Sequence, residues 1–344
     1  MGKRLLHGPL RQLLPLVTFP SLSALAVHFI WNRFIEANIG SQIGTQCHRD
    51  YTPPADSLQK SYFTPYTGFD AFDEAMCPLV TFFDALINCT DTLPFLTYAI
   101  ATSLPLVLIP NVEAHRKGQS CFLAYPVIFG LLSQVVSVGV IFPIYWLVFI
   151  LTGGPQKTAE SPLLSYTKAH AEALIFGIFT GAVIPSVAML IMNDFHITAI
   201  WQFYPVLVAV AQFSHLQFRP SSQFSSSGYD LLRMLYIGCF ITSSSSHIST
   251  IWPMVADFSA IKEFLTPSLT PLPYSSSLSL HLLESLKWDI TFAYSSTALG
   301  MLWFSNNLKE LVTIILWYSV AIPLLGFAAA VTGVAIWNEG IMAQ

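Results

Sequence analysis

Charge is the scarcest commodity in this sequence. Lysine, arginine, aspartate and glutamate make up 10% of its 344 residues, where a soluble domain carries about a quarter. So few charges exclude an ordinary water-soluble surface. The formal net charge of −4 is spread thinly, so neither nucleic acid nor an acidic membrane surface is implied as a partner. Cysteine is sparse as well: there are five, and none has zinc-type spacing. No G-x-S-x-G, glycine-rich phosphate loop or H-E-x-x-H occurs, which leaves hydrolase, nucleotide-dependent and zinc-protease chemistry without support. No internal repeat stands out, which argues against a carrier built from duplicated halves.

What the chain has instead is apolar length. Hydrophobic residues make up 53% and the mean hydropathy is +0.59. A span needs about 20 apolar residues, and eight runs qualify, near 13–32, 93–111, 121–151, 171–192, 197–214, 231–254, 288–305 and 311–337. The expectation is an all-α, polytopic transmembrane bundle forming a single domain over 1–344. The run 121–151 is long for one span, which predicts strong tilt or a kink before Pro143. A ninth stretch, "AMCPLVTFFDALINCT" (75–90), is short and interrupted by Asp84; it reads as a re-entrant or interfacial helix.

Lys3, Arg4 and Arg11 precede the first run, which lacks a small-residue cleavage site, and they favour a cytosolic N-terminus. Residues 33–92 are then lumenal, and the protein is expected in the endoplasmic reticulum membrane. That segment holds Cys47, Cys77 and Cys89, enough for one disulfide with one cysteine left over. It also holds the glycosylation sequon Asn88-Cys89-Thr90, close to the membrane. This topology puts Glu113 and Asp289 at the same, cytosolic boundary.

With charges so scarce, each one near a span carries information. "KWDITFAYSSTALGMLWF" (287–304) places Asp289 just inside the first turn of a predicted span, where an aspartate near the centre would cost roughly 2.5–3.5 kcal/mol. One helical face runs Asp289, Phe292, Ser296, Gly300, Trp303; Ile290, Leu299 and Phe304 lie opposite, suited to lipid. A cap of its own helix N-terminus is the structural account of Asp289, proton chemistry the functional one. "IPNVEAHRKG" (109–118) ends the second span with Glu113, His115 and Arg116. Arg116 and Lys117 read as positive-inside anchors. Glu113 either pairs with Arg116 at i,i+3 spacing or acts in chemistry.

"TGFDAFDEAMC" (67–77) carries Asp70, Asp73 and Glu74. A magnesium-diphosphate site needs two such acidic strings facing each other. Only "NCTD" (88–91) is available as a second, so helix capping by Asp70 is favoured. Asp84 either lines a cavity or faces the interface. Glu172, Asp230 and Asp257 sit at span ends as boundary carboxylates. His247, in "SSSSHIST" (243–250), reads equally as an intramembrane catalytic histidine or as hydrogen-bonding glue between helices. Aromatics reach 14%. Several stand beside prolines within spans, in "FPIYWLVF" (142–149) and "IWQFYP" (200–205), where ring faces can hold a cation by about 0.5–2 kcal/mol each.

Four stretches carry a resemblance: "YTGFDAFDEAMCPLVTFF" (66–83), "IPNVEAHRKG" (109–118), "GLLSQVVSVGVIFPIYWLVFILTG" (130–153) and "LKWDITFAYSSTALGMLW" (286–303). Together they resemble the integral-membrane terpene cyclases of fungal meroterpenoid pathways, the ascochlorin/ascofuranone and macrophorin kind. The resemblance implies cyclisation begun by protonation, on a prenyl chain or its terminal epoxide attached to an aromatic or polyketide head. It implies no metal and no cofactor, a hydrophobic prenylated substrate, and the bilayer as environment. Asp289 and Glu113 are then expected as acid and base, in either order, with Trp288, Phe292, Trp303, Tyr145 and Trp146 stabilising the cation. Two other classes remain: a magnesium-dependent membrane prenyltransferase using Asp70 and Asp73, and a transporter with intramembrane acidic sites.

Overall fold

The computed structural model describes residues 9–52, 64–116, 118–155 and 166–342. Lys3, Arg4, Lys117 and the side chain of Arg11 lie outside the described residues. Within them the fold is helical, with one isolated antiparallel bridge between Thr167 and Ser227. The chain opens with α1 (Pro9–Ala26), a π-helical turn (Val27–Asn32), α2 (Arg33–Glu36) and α3 (Ile39–Gln46). Then come α4 (Asp70–Ile87), α5 (Leu93–Thr102), α6 (Leu104–Ala114), α7 (Pro126–Val135) and α8 (Val138–Leu151). After α9 (Lys168–Ile178) a π turn leads into α10 (Ile184–Met192), followed by α11 (Phe195–Trp201) and α12 (Tyr204–Phe218). The last elements are α13 (Tyr229–Ile251), α14 (Phe258–Leu265), α15 (Leu278–Met301) and α16 (Leu308–Met342).

Four helical stretches among the described residues are long and apolar enough to cross a membrane: Leu13–Glu36, Leu93–Ala114, Lys168–Met192 and Leu308–Gly340. A fifth forms if α11 and α12, bent by 64°, count as one. This corrects the expectation of eight. Serines and threonines dilute the apolar character of α13, and α15 carries Glu284, Lys287 and Asp289 in its first half. The run 121–151 is neither a tilted span nor one kinked before Pro143. It breaks at Ser137 (φ 137°), and the rings of Phe129 and Tyr145 then meet at 5.3 Å. An unbroken helix would hold residues 16 apart about 24 Å from each other. The two halves therefore fold back as a hairpin.

The last helix doubles back in the same way. Pro323 removes a donor, and Gly326 (φ 87°) takes a conformation only glycine adopts freely. The Trp317 indole N–H then donates to the Ala330 carbonyl, 2.9 Å away. His247 fills the space a side chain at 326 would need, with Nδ1 at 2.7 Å from that Cβ position. His247 also bonds the Tyr98 hydroxyl at 2.9 Å, a contact of the kind that joins helices.

Contacts between distant segments define two ends of the bundle. At one end Arg33 donates to the carbonyls of Ser268 and Leu269, and Asn88 meets Asn193. At the other, Arg116 meets Glu339 and Arg219 meets Glu172. Helix α15 runs antiparallel to α1 and its π turn, since Phe29 of the turn stacks on Trp288 and Phe19 of α1 meets Trp303 at a tilt. Asp289 thus sits toward the Arg33 end, whereas Glu113 lies at the Glu339 end. The shared boundary expected for these two carboxylates is overturned, because the hairpin 126–151 reverses the direction of every later helix. Helices α3 and α4 are joined by the disulfide Cys47–Cys77, which leaves Cys89 free.

The main core collects Tyr145, Trp146, Phe149, Leu174 and Tyr236, all at most 2% exposed. Residues such as Ile191, Phe213 and Leu316 remain outward-facing, as a lipid-facing surface requires. Between helices in lipid, close packing rather than water exclusion supplies the attraction. Gly300 shows this locally: a Cβ there would lie 2.3 Å from the Trp146 ring.

Candidate active site

Asp289 is not in the first turn of its helix. Helix α15 begins at Leu278 under a Ser277 cap, about three turns earlier, so the reading of Asp289 as cap of its own helix is overturned. It caps a different one. The hairpin tip leaves the first N–H groups of α8 without intrahelical partners, deep in an apolar setting where each costs free energy unless bonded. Asp289 Oδ1 accepts from the Gly139 N–H at 2.6 Å and from the Ser137 hydroxyl at 2.5 Å. The Ser137 oxygen in turn accepts from Val140 N–H at 3.2 Å. Residue 139 must be glycine here: a Cβ would stand 2.8 Å from the Asp289 carbonyl oxygen. A positively polarised helix N-terminus thus faces the carboxyl group.

The same carboxyl group lines a cavity of about 670 Å³, within the range of about 300–1,000 Å³ usual for small-molecule sites. Its walls are largely apolar: Ile43, Leu79, Leu96, Val107, Ile290, and the aromatic rings of Phe34, Phe82, Phe83, Phe142, Trp201 and Tyr204. Ser133, Gln134 and Ser137 add polar points from the hairpin tip. Among the residues lining it, Asp289 is the one carboxylate. The disulfide-linked helices contribute Ile43 from α3 and Pro78 from α4.

The five aromatics expected around the cation are placed elsewhere, since none of them lines this cavity. Tyr145 and Trp146 lie at the centre of the main core, where the Trp146 indole donates to Thr297 at 3.1 Å. Trp303 packs on Phe19, and Phe292 stacks beside Trp288. Trp288 faces a second, smaller cavity of about 120 Å³. Ile290, Leu299 and Phe304 do not face lipid: Ile290 lines the large cavity and Phe304 is buried, while Leu299 packs on the core. The aromatics that do line the cavity were within reach of sequence reasoning. Phe82 and Phe83 flank Asp84 in 75–90, Phe142 opens "FPIYWLVF", and Trp201 and Tyr204 stand in "IWQFYP".

Glu113 belongs to a separate, buried ion cluster. Arg116 Nε lies 2.9 Å from Glu113 Oε2, and Arg116 also reaches Glu339. The side chain of Arg116 is 0% exposed, so it is no anchor in the headgroup region. Tyr166 donates to the Val112 carbonyl beside it. Glu339 was missed from the sequence because it lies near the far end of the chain from Glu113 and only the folding back of α16 brings it there. The cluster joins the ends of α6 and α16, and Glu113 is absent from the walls of the large cavity.

The acidic string 70–74 is engaged in structure. Asp73, fully buried, accepts from the Thr67 N–H and hydroxyl, both at 2.9 Å, and from Gly68 N–H at 3.0 Å. It therefore does the work at the helix start that was expected of Asp70. Burial pushes the Asp73 carboxyl up, but these hydrogen bonds outweigh it and hold the group below the usual carboxylate range. Asp70 is exposed and pairs with Arg49 at 2.8 Å. Asp84 binds Asn88 at 2.7 Å. Among the described residues no three His, Cys, Asp or Glu side chains gather as a metal site would require. Asp257 caps α14 through Ser259 and Ala260 N–H, and Glu172 is paired with Arg219.

A polytopic helical protein with an internal apolar cavity and one carboxyl group on its wall is the class defined so far. The chain matches the CtvD domain model over residues 15–335 and belongs to that family. It is also similar to Terpene cyclase ascI of Acremonium egyptiacum, with 26% identity over 261 residues, covering 70% of this chain and 67% of the relative. No solved structure matches it.

Proposed function

We propose that this chain is a membrane terpene cyclase, as the name of its relative suggests, and that Asp289 starts the reaction by protonating a prenyl chain or its terminal epoxide in the large cavity. One observation carries the reading: a single carboxyl group stands on the wall of an apolar, aromatic-rich cavity of about 670 Å³. The Val138 N–H reaches the carboxyl group, and the Ser137 hydroxyl and the Gly139 N–H both end on Oδ1. A neutral acid still accepts there through its carbonyl oxygen, so Oδ2 is the oxygen to carry the proton. Desolvation favours that neutral form. Proton delivery opens the epoxide or creates a tertiary cation, and the chain folds against Phe82, Phe83, Phe142 and Trp201, whose ring faces favour positive charge. The carboxylate left behind is the nearest base, and it recovers a proton when the final cation collapses to an alkene. Glu113 enters this reading as a structural residue. In this reading the Arg33 end of the bundle faces the lumen and the N-terminus the cytosol, and the Cys47–Cys77 bond supports it, since disulfides persist in oxidising compartments.

The test is turnover in washed membranes containing the full chain, given a prenylated phenol and its terminal epoxide in the presence of EDTA. The expected product has the mass of its substrate and one more ring. A product that gains water, release of diphosphate, or strict dependence on magnesium would overturn the proposal.

A further inference from the structure

The small cavity beside Trp288 is unlike the large one next to it. Phe34 and Ser285 wall both, so the two spaces adjoin. Trp288 and Asp289 are consecutive on α15, so their side chains diverge by about 100° around the helix; one lines each space. The small cavity has a polar rim formed by Arg33, Glu36, His281 and Glu284. At about 120 Å³ it is well below the roughly 300 Å³ at which independent ligand sites begin. It is an annex to the larger site.

From this juxtaposition we infer that the small cavity seats the polar head of the substrate, a planar ring bearing oxygen substituents, while its apolar tail lies in the large cavity against Asp289. The floor is itself planar: Phe29 and Trp288 stack at 4.1 Å with 19° between their planes. The Arg33 guanidinium lies 4.6 Å from the Phe29 ring centroid and 5.7 Å from that of Trp288. It is held by the Ser268 and Leu269 carbonyls, and Glu284 is held by Lys287 and the Ser268 N–H. These groups form a rigid frame. The His281 ring makes no hydrogen bond among the described residues, while the backbone of His281 bonds Ser277 and Ser285; the ring stands on the Glu284–Trp288 face of α15 and is free to bond a head-group oxygen. Glu36 and Glu284 balance Arg33 and Lys287, and Lys287 is taken up by Glu284, so the rim has no net positive charge to hold a diphosphate. The head that fits is neutral.

The inference rests on the cyclase reading only for the chemistry of the tail, and equilibrium binding separates the two. The purified full chain in detergent is titrated with three radiolabelled probes in a scintillation proximity assay: farnesylated hydroquinone, farnesol and farnesyl diphosphate. Farnesylated hydroquinone should bind about tenfold more tightly than farnesol, as one or two net hydrogen bonds plus ring stacking would supply. His281→Ala and Trp288→Leu should each remove about three- to tenfold of that preference, with farnesol binding unchanged. Asp289→Asn should leave the preference intact. Equal affinity for the headed and headless probes, equal losses for both probes in both variants, or tightest binding of the diphosphate would overturn the head-group site. Absence of turnover with the preference intact would instead count against the cyclase reading alone.

Discussion

Replacing Asp289 with asparagine separates the two tasks of this residue. In the native chain Oδ1 accepts from Gly139 N–H and the Ser137 hydroxyl at 2.6 and 2.5 Å. The asparagine carbonyl can accept both, so the tip of the 126–151 hairpin stays bonded. Bonds to a charged acceptor are worth roughly 1.5–3 kcal/mol and neutral ones about 0.5–1.5. For the two bonds the stability cost is therefore at most about 2–3 kcal/mol, and close to nothing where the native group is already the neutral acid, as the proposed reaction requires. Proton chemistry is another matter. A positioned acid contributes about 10²–10⁴-fold, or roughly 2.7–5.5 kcal/mol of barrier. The Asp289→Asn chain should accumulate and melt nearly as the parent does while turnover falls at least a hundredfold. Alanine is the wrong probe, since it leaves two donors without an acceptor at about 1–3 kcal/mol each. Tagged protein in membranes is quantified by immunoblot, its melting by a detergent thermal-shift assay, and product by mass spectrometry. An asparagine variant turning over within threefold of the parent would show that Asp289 only holds the hairpin.

Three further outcomes follow from the same geometry. Arg116→Met strands Glu113 and Glu339 as buried carboxylates without their cation, which should cost about 3–5 kcal/mol; size-exclusion chromatography should show aggregation, with Glu113→Gln alone better tolerated. Removing the Cys47–Cys77 bond, which closes a separation of 30 residues, should lower stability by about 2–4 kcal/mol, and alkylation mass spectrometry should find these two cysteines blocked and the partly exposed Cys89 alkylated. Asp73, held below the usual carboxylate range, lends stability that is present above the unfolded carboxylate pKa and lost as pH falls through its lower folded value. Asp73→Asn should therefore flatten the acid side of the stability profile, whereas Asp70→Asn, at an exposed pair, should leave it unchanged.

Much of the site was visible in the chain as chemistry without location. Asp289 stood out because a carboxylate in an apolar run is costly and needs a reason. The aromatic and proline clusters around Phe82, Phe142 and Trp201 were equally plain. The rings expected around a cation do not line the large cavity, because helical periodicity says which residues share a face and not what that face meets. Phe292 and Trp303 do share the side expected of them, and it is packed against α1 and the π turn that follows it. Glu113–Arg116 pairing follows from i,i+3 spacing. Its third member, Glu339, comes from a helix that returns to meet it.

Composition and the length of its apolar runs determined that this chain is helical and lives in a bilayer, because in hydrocarbon the backbone must bond to itself and runs of about 20 apolar residues span as helices. The tertiary structure decided how often the chain crosses and what Asp289 faces. Hydropathy counts apolar residues in a window, and a helical hairpin contains as many as a long span. The reversals at Ser137 and Gly326 depend on partners far along the chain, Asp289 for one and His247 for the other. A broken helix in an apolar setting is stable only where another helix completes its hydrogen bonds, and that is settled by packing.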